Sequence, residues 1–529
     1  MPNKPDYVDT EEYQNRLKKL NELRQLGIVP YPHHFEPKES AHALHNRYAD
    51  DSVGTSEEAS NKATPPVVVA GRLVLFRAMG KNAFAHIQDA TGRIQLMFNR
   101  DHLHIEGYNP EDIAGEEPAP SPMKVIEKKV DFGDWLGIKG CLFRTKKGEL
   151  TVYVHHVTLL CKSLLPLPEK HAGLVDKEMR YRKRWLDLID HDEVRNTFRM
   201  RSEILRITRS FFEDEGFLEV ETPVLQHIYG GANARPFTTH LHSLDQDMFC
   251  RISLEISLKK LIIGGMDKIF EIGKVFRNEG IDKNHNPEFT LLEAYAAYWD
   301  YNKLMSFTEN LFEEIALTLF STTKVKYGNP ELDEELVEVD YKAPWPRLTM
   351  HQSIKKFADI DIDAMKREEM AAFLIEKEAG DPKFLKEASR GLLTALIFEE
   401  TVEQHLLQPH HIIDHPIETT PLCKPHRNEK DREKGLVERF ESYVMGHEIC
   451  NAYTELNDPI IQRKLLEEQQ ERCEAGDEEA NPLDEEFIEA ICQGMPPTGG
   501  IGIGMDRVVM LFTNSHSIRD VLFFPLMKG

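Results

Sequence analysis

The chain has little of what a membrane or secreted protein needs. Its 529 residues contain no apolar run near the roughly 18 residues that a membrane-spanning helix requires. Residues 1–6 lack the apolar core of a secretory signal peptide. The seven cysteines include no Cys-x-x-Cys pair, which predicts reduced thiols and disfavours a zinc site. We therefore expect a cytoplasmic protein with no membrane association.

Basic residues are outnumbered by acidic residues. The formal net charge of −24 at pH 7 argues, taken globally, against a nucleic-acid partner. The charge is uneven, however, since residues 464–489 are strongly acidic and residues 177–209 are rich in Lys and Arg. A local basic face can still meet a phosphate backbone, although a solvated helix surface explains such a run equally well.

Length and pattern divide the chain into three regions. Hydrophobic residues make up 41%, enough for ordinary packing, but 529 residues exceed what one core supports. Residues 1–64 predict an amphipathic helix followed by a linker rich in proline and polar residues. Residues 65–165 predict a small β-domain, and residues 166–529 predict a larger domain with a helical insertion at about 350–408.

The 65–165 region predicts a five-stranded β-barrel, because short apolar runs alternate with turn-forming segments. The order of strands and glycine-rich turns resembles an OB-fold, which binds single-stranded nucleic acid on the face of its central strands. Phe84, His86 and Gln88 would share one strand face, with Gln95 on the neighbouring strand. Such residues are more often packing or solvated surface.

Residues 166–529 predict an α+β domain built on an antiparallel sheet. A long helix at about 193–215 precedes a strand-like run, 217–225, that Pro223 interrupts. Proline cannot donate to a strand ladder, so it favours a strand end or an edge. A long helix beside a sheet edge is a natural dimer surface, and we expect a homodimer formed through residues 193–225.

The most informative stretch is a hairpin at residues 276–293. It brings Arg277, Glu279, His285 and Phe289 to one place. A guanidinium suits a phosphate and an aromatic face suits a purine, so the hairpin is equipped to hold a nucleotide. Taken alone, an Arg-x-Glu pair is more commonly a surface salt bridge.

Three separated segments of the 166–529 region form a set in a fixed order. They are Gly216-Phe217 with Thr222-Pro223, Phe276-Arg277-Asn278-Glu279 through Phe289, and Gly502-Ile503-Gly504-Met505-Asp506-Arg507. This set resembles the three motifs of the class II aminoacyl-tRNA synthetases, and the barrel points to the subclass with an N-terminal OB-fold, which contains the aspartyl, asparaginyl and lysyl enzymes. Further stretches resemble the bacterial-type lysyl enzymes in particular. They include Gly230-Gly231-Ala232, Thr454-Glu455-Leu456-Asn457-Asp458 and Leu511-Phe512-Thr513-Asn514-Ser515.

The resemblance implies a pocket for lysine, whose desolvated ammonium must be met by carboxylates and hydroxyls. Glu279 and the Gly231 backbone would hold the α-amino end, and Glu255, Tyr295 and Glu455 would surround the side chain. The same pocket would include Glu293, Asn451 and Tyr453. The chain departs from the family pattern beside Glu255, where Ser253-Leu254 and Ser257 replace the frequent Ala-Pro and Tyr.

The resemblance also implies an ATP site. Arg277 would contact the α-phosphate and Arg507 the γ-phosphate, and these arginines with Glu279 are the expected catalytic groups. Phe289 would stack on adenine, with His285 and Asn286 near the base. Two more residues, Glu441 and Glu448, would ligate Mg²⁺ between the phosphates, because hard oxygen ligands suit that ion. Without the family context, two glutamates seven residues apart are ordinarily unrelated surface carboxylates.

The implied activity is ATP-dependent formation of lysyl-adenylate and transfer of lysine to tRNA(Lys), with release of AMP and diphosphate. Phe84, Gln95 and Glu149 on the barrel would contact unpaired anticodon bases. Three alternatives stay open: an aspartyl- or asparaginyl-type synthetase, a paralogue that attaches lysine to a protein, and a nucleic-acid-binding protein with a decayed catalytic domain.

Overall fold

The computed structural model describes residues 5–49, 53–113, 119–168, 174, 176–328, 335–475 and 480–528. The chain divides into two compact units, residues 1–173 and 174–529. Among the described residues, no helix has the length and apolarity needed to cross a membrane.

The described part of the first unit combines four α-helices with a small sheet. The helices are α1 Glu11–Gln25, α2 Ala41–Arg47, α3 Ser56–Ser60 and α4 Pro122–Lys129. The strands are β1 Pro66–Met79, β2 Asn82–Gln88, β3 Arg93–Asn99, β4 His104–Ile105, β5 Trp135–Arg144 and β6 Leu150–Cys161.

Strands β1, β2, β3, β5 and β6 form the predicted barrel. The antiparallel pairs are β1 with β2, β1 with β5, β2 with β3, and β5 with β6, and a parallel pairing of β3 with β6 closes the sheet. Inward-facing side chains such as Leu96, Leu136 and Val152 are fully buried. The alternation seen in the sequence therefore has its expected cause, one strand face packed inside a barrel.

The segment predicted as a linker, residues 28–64, carries short helices that pack. Ser40 caps α2, and Thr55 with Glu58 forms a reciprocal capping box at α3. Leu44 from α2 is buried in the barrel core, and Ala59 from α3 is buried against strands β3, β5 and β6. The proline and polar content of this segment marks capped, short helices rather than an unpacked connection.

The second unit is an α+β domain, as predicted. Its helices are α5 Lys177–Arg182, α6 Arg184–Asp190, α7 Asp192–Asp214, α8 Glu255–Ile263, α9 Tyr301–Phe320, α10 Met350–Ala358, α11 Arg367–Glu376, α12 Pro382–Glu387, α13 Arg390–Thr401, α14 Glu429–Glu433, α15 Pro459–Glu474, α16 Glu485–Cys492 and α17 Met505–Phe512. Its strands are β7 Leu218–Glu219, β8 Leu225–Gln226, β9 Thr238–Leu241, β10 Gln246–Cys250, β11 Lys268–Phe276, β12 Glu288–Ala297, β13 Lys324–Tyr327, β14 Val337–Asp340, β15 Arg347–Thr349, β16 His410–Ile413, β17 Arg439–Val444, β18 His447–Thr454 and β19 Thr498–Gly504.

An eight-stranded sheet organises this unit, in the order β15-β16-β17-β18-β19-β12-β11-β7. All neighbouring pairs are antiparallel except the outermost pair at each edge. Helices α7, α9 and α17 cover one face, where Phe212, Phe312 and Val509 join a large apolar core. Helices α10 to α13 form a separate core between β15 and β16, within the region predicted as a helical insertion. Since strand residues alternate between faces, the polar members of the central strands point away from the large core.

Candidate active site and nucleic-acid face

The register of the sheet lines up a row of polar residues on the face opposite the large core. Glu441 on β17 lies opposite Asn451 on β18, which lies opposite Gly502 on β19, which lies opposite Glu293 on β12. Directly opposed residues of an antiparallel pair point to the same face. The row therefore forms a floor with polar ends and a glycine gap in the middle.

A cavity of about 420 Å³ lies over this floor. Nearly every residue that the sequence predicted for the active site lines this cavity. The nominated residues that line it are Gly231, Glu255, Arg277, Glu279, His285, Asn286, Phe289, Glu293, Tyr295, Glu441, Glu448, Asn451, Tyr453 and Arg507. Glu455 is the exception: it does not line the cavity and is buried behind Gly500.

Arg277 and Phe289 form one end of the cavity. The Arg277 guanidinium carbon lies 5.1 Å from the centre of the Phe289 ring, and its Nε donates to the carbonyl of Ile252 at 3.3 Å. Burial lowers the pKa of Arg277, and the charge of Glu279 opposes that shift. Arginine stays protonated in proteins, so the cavity holds a fixed cation against an aromatic face.

Arg507 adds a second cation. Its Nη1 donates to the carbonyl of Glu448 at 2.6 Å, and its Nη2 lies 3.3 Å from His285 Nε2. The other ring nitrogen of His285 lies 2.8 Å from a carboxylate oxygen of Asp282. The preceding residue, Asp506, accepts from the backbone of Thr290 at 2.7 Å, which fixes the start of α17 against β12.

Glu441 and Glu448 occupy the neighbouring β17–β18 hairpin. Glu441 accepts from the Tyr443 hydroxyl at 2.7 Å and also from Arg439. Burial raises the pKa of Glu448, and the charge of Glu441 raises it further. Two neighbouring carboxylates that oppose each other's ionisation favour a cation between them.

Glu293 lies at the β12 end of the polar row. It accepts from the Ser253 hydroxyl at 2.7 Å, from the backbone N–H of Leu254 at 3.0 Å and from the Tyr295 hydroxyl at 3.1 Å. Burial and the charge of Glu255 raise the pKa of Glu293 to about 7. A carboxyl that titrates near neutrality in a cavity is a functional-site candidate.

Glu255 and Glu455 lie deeper, on either side of Lys259. Lys259 forms ion pairs with both carboxylates, and the second oxygen of Glu255 accepts from the Tyr453 hydroxyl at 2.7 Å. Burial raises the pKa of Glu455 well above its ordinary value, while Lys259 opposes the rise. Within the described residues, Glu455 Oε1 has no hydrogen-bond partner.

Two glycines leave the space that these carboxylates occupy. A Cβ on Gly500 would lie 1.9 Å from Glu455 Oε1 and 2.5 Å from the Tyr295 ring. Gly231 has a φ of +89°, and a Cβ there would lie 2.7 Å from the Ser253 hydroxyl. Gly231, which the resemblance predicted, and Gly500 thus each have a packing reason in this structure.

On the barrel, strands β2, β3 and β6 gather polar groups on their outer face. Gln95 donates to Glu149 at 2.7 Å and accepts from the Thr151 hydroxyl at 2.8 Å. His86 lies 3.0 Å from the other Glu149 oxygen. Phe84, two residues before His86, is half-buried on the same face. Gln95 and Glu149, two of the predicted base-contacting residues, therefore bond to each other on the strand face that Phe84 shares.

Two parts of the chain match known families. Residues 176–528 match the family described as tRNA synthetases class II (D, K and N). Residues 67–160 match the OB-fold nucleic acid binding domain. The chain belongs to the class II tRNA synthetases. The predicted family and the predicted combination of a class II catalytic domain with an N-terminal OB-fold are confirmed.

Similar class II synthetases come from bacteria and an archaeon. A lysine–tRNA ligase of Chlamydia pneumoniae is 53% identical, covering 100% of this chain and 98% of its own. The lysine–tRNA ligase of Nostoc punctiforme is 46% identical over 97% of this chain and 87% of its own. That of Methanoculleus marisnigri is 45% identical over 97% and 94%.

Three residues of this class II synthetase site were not predicted from the sequence. Arg439 lies beside Glu441 and donates to Asn451 at 2.8 Å; although burial works against it, nearby glutamates raise its pKa. Ser253, noted only as a departure from the family pattern, contacts Glu293. Lys259 follows Glu255 by one helical turn, and that spacing was the signal that could have found it.

Proposed function

We propose that this class II synthetase activates L-lysine with ATP and transfers it to the 3′ end of tRNA(Lys). The observation that carries the proposal is the mixed lining of one cavity. Arginines and an aromatic ring, which suit a nucleotide, line it together with carboxylates and tyrosine hydroxyls, which suit ammonium groups. The lysine–tRNA ligases at 45–53% identity support the same substrate.

In the first step, the lysine carboxylate attacks the α-phosphorus of ATP in line with the departing diphosphate. An oxygen–phosphorus bond forms to give lysyl-adenylate, and the bond to the bridging oxygen breaks. The substrate supplies the nucleophile, so the chain contributes alignment and charge. Arg277 offsets charge on the α-phosphoryl group, Arg507 offsets charge on the leaving phosphates, and Phe289 stacks on adenine.

At the amino-acid end, the lysine is held by its two ammonium groups. Glu279, Glu293 and the Gly231 backbone take the α-amino end in this proposal. Glu255, Glu455 and Tyr295 surround the side chain, with Tyr453 and Asn451 completing the wall. Buried charge needs paired charge, so an amino acid without a side-chain cation would leave these carboxylates unmatched.

Glu441 and Glu448 fit Mg²⁺. This ion is commonly held by one or two carboxylates together with substrate phosphates. No group of three or more potential protein ligands stands ready to hold a metal in the described ranges, so nucleotide oxygens would have to complete the shell. Bound there, Mg²⁺ would offset phosphate charge, while Arg439 and Tyr443 keep Glu441 in place.

In the second step, a ribose hydroxyl at the tRNA 3′ end attacks the adenylate carbonyl and releases AMP. The barrel supplies recognition of the tRNA anticodon in this proposal. Phe84 would stack on an unpaired base, and Gln95 and Glu149 would hydrogen-bond to base edges. Local basic faces would meet the phosphates, so the net charge of −24 is compatible with this partner.

A homodimer through residues 193–225 is part of the proposal. Leu218, Val224 and Leu225, around the Pro223 segment, are exposed large apolar side chains. Exposed apolar patches mark interaction sites. Leu225→Lys should shift the chain from dimer to monomer in light scattering, and an unchanged mass would contradict this surface.

Free thiols at all seven cysteines support a cytoplasmic location.

The alternatives fit less well. A pocket for aspartate or asparagine would offer a cation or amide to the side chain, whereas Glu255 and Glu293 line this end. A protein-lysylating paralogue would not need the polar barrel face around Gln95. A decayed catalytic domain would not be expected to keep Arg277, Arg507 and the carboxylates in one cavity.

Amino-acid-dependent exchange between ATP and pyrophosphate, run over the twenty amino acids, tests the proposal. We expect exchange with lysine alone, followed by charging of tRNA(Lys) but not tRNA(Asp). Exchange driven by aspartate or asparagine would replace the proposed substrate. Lysine exchange without tRNA charging would favour the protein-lysylating alternative.

A further inference from the structure

A resident lysine sits at the side-chain end of the proposed lysine pocket. Lys259, on α8, is fully buried and forms ion pairs with Glu255 one helical turn before it and with Glu455 after β18. Its Nζ lies 5.6 Å from the Tyr453 ring centre and 5.9 Å from that of Phe487. A buried ammonium held this way cannot turn out to solvent.

We propose that Lys259 is a specificity-determining positioning residue, which fixes the two carboxylates and sets the charge at this end of the pocket to match a single incoming ammonium. The inference rests on the proposed lysine function and deepens it. Lys259 acts through Glu255 and Glu455 and does not itself react.

The buried charges around Lys259 balance when one substrate ammonium is added. Glu255 and Glu455 supply two negative charges, Lys259 supplies one positive charge, and the substrate side chain supplies the second. Buried ions are tolerated when they are paired, and an unmatched one costs several kcal/mol. With two carboxylates and no resident cation, one substrate ammonium would leave a negative charge unmatched.

Glu255 and Glu455 also differ in the partners of their carboxylate oxygens. Lys259 and Tyr453 each take one oxygen of Glu255. Neither oxygen of Glu455 has a hydrogen-bond partner among the described residues. Lys259 forms an ion pair with Oε2, whereas Oε1 lies beside the Gly500 gap and Tyr295. Lys259 thus holds Glu255 as support and orients Glu455 so that one oxygen remains for the substrate.

The Lys259 ammonium stays charged in this setting. Burial alone would lower the pKa of Lys259, but the charges of Glu255 and Glu455 outweigh it and raise the pKa. Between two carboxylates, a methionine of similar length would keep the packing and remove only the charge.

A double-mutant cycle tests the charge count by the lysine KM in ATP–pyrophosphate exchange. Glu255→Gln leaves this end neutral, Lys259→Met leaves it with two negative charges, and the double variant restores one. We expect each single variant to raise the lysine KM at least tenfold with less than a threefold change in the ATP KM. The double variant should have a lower lysine KM than either single variant, because charge balance returns.

Lys260→Met is the matched control, since Lys260 follows on the same helix and pairs with Glu486 at the surface. It should leave the lysine KM unchanged. If Lys259→Met does not fold, the balanced double variant still has to fold and use lysine better than Glu255→Gln. A double variant as poor as the product of the two single effects, or an unchanged lysine KM in Lys259→Met, would overturn the inference. Absence of lysine exchange in the unmodified protein would instead refute the proposed function.

Discussion

The outer face of the barrel and the cavity of the catalytic sheet use similar side chains in different surroundings. On the barrel, the Glu149 carboxylate that binds Gln95 and His86 is about half exposed, at 48%. In the cavity, Glu293 and Glu255 are at most 5% exposed, and each is held by two or more donors. The charged groups of the barrel face are exposed to solvent, whereas Glu255 and Glu293 in the cavity are buried.

This difference decides what each region can recognise. Near the surface, water screens a charge pair to about 1 kcal/mol or less, so bases must be distinguished by stacking and hydrogen-bond geometry. In a buried pocket, an unmatched charge costs several kcal/mol. The pocket can therefore select a substrate by its net charge. We expect charge substitutions to be severe in the cavity and mild on the barrel.

The largest effect should follow from loss of the cation at the nucleotide end. Arg277→Ala should lower ATP–pyrophosphate exchange more than a thousandfold, because it removes the cation that offsets charge on the α-phosphoryl group. Circular dichroism should show an unchanged fold. Arg463→Ala, which removes an exposed arginine paired with Glu485, is the control and should keep full exchange. Near-normal exchange in Arg277→Ala would break the nucleotide assignment.

Glu255→Gln should come next. Removing one charged partner of the substrate ammonium should weaken lysine use by about 1.5–3 kcal/mol, or roughly 10- to 150-fold in KM. Steady-state exchange kinetics with lysine and ATP varied separately would measure it. Glu485→Gln, also at the first residue of a helix but exposed, should change neither constant. Unchanged lysine kinetics in Glu255→Gln would mean that the pocket is wrongly placed.

A smaller effect is expected on the barrel. Phe84→Ala removes a stacking surface worth about 1–3 kcal/mol per base, so the tRNA KM in aminoacylation should rise roughly tenfold while ATP–pyrophosphate exchange stays unchanged. Phe132→Ala removes another exposed phenylalanine of the same unit and serves as the control. A loss of exchange in Phe84→Ala would contradict the division of tasks between the two regions.

The smallest effect should be a pH dependence confined to the cavity. Because the pKa of Glu293 is raised to about 7, this carboxyl is charged above that pH and neutral below it. The lysine KM should therefore rise several-fold as the pH falls from 8 to 6. In Glu293→Gln the KM should be high throughout and lose this dependence. A flat profile for the unmodified protein would show that Glu293 does not meet a substrate ammonium.

Much of the fold was readable from local pattern. Helices α7 and α9 lie within one residue of the predicted 193–215 and 301–320, because long amphipathic or apolar stretches with clear ends specify a helix locally. The barrel strands followed from alternation. The 28–64 segment was harder, since five- and seven-residue helices carry too little periodicity and depend on caps and on the barrel beneath them.

By itself, the sequence determined which chemistry the chain carries. The order of its motifs identified the family, and the residue types predicted which groups bind the nucleotide and which bind lysine. Only the tertiary structure decided which charges are shared. Lys259 meets Glu455 at a sequence separation of 196 positions, and Tyr453 meets Glu255 at a separation of 198. Pairing across such separations depends on sheet register and helix packing, and burial then turns a surface charge pair into a site that admits one more ammonium.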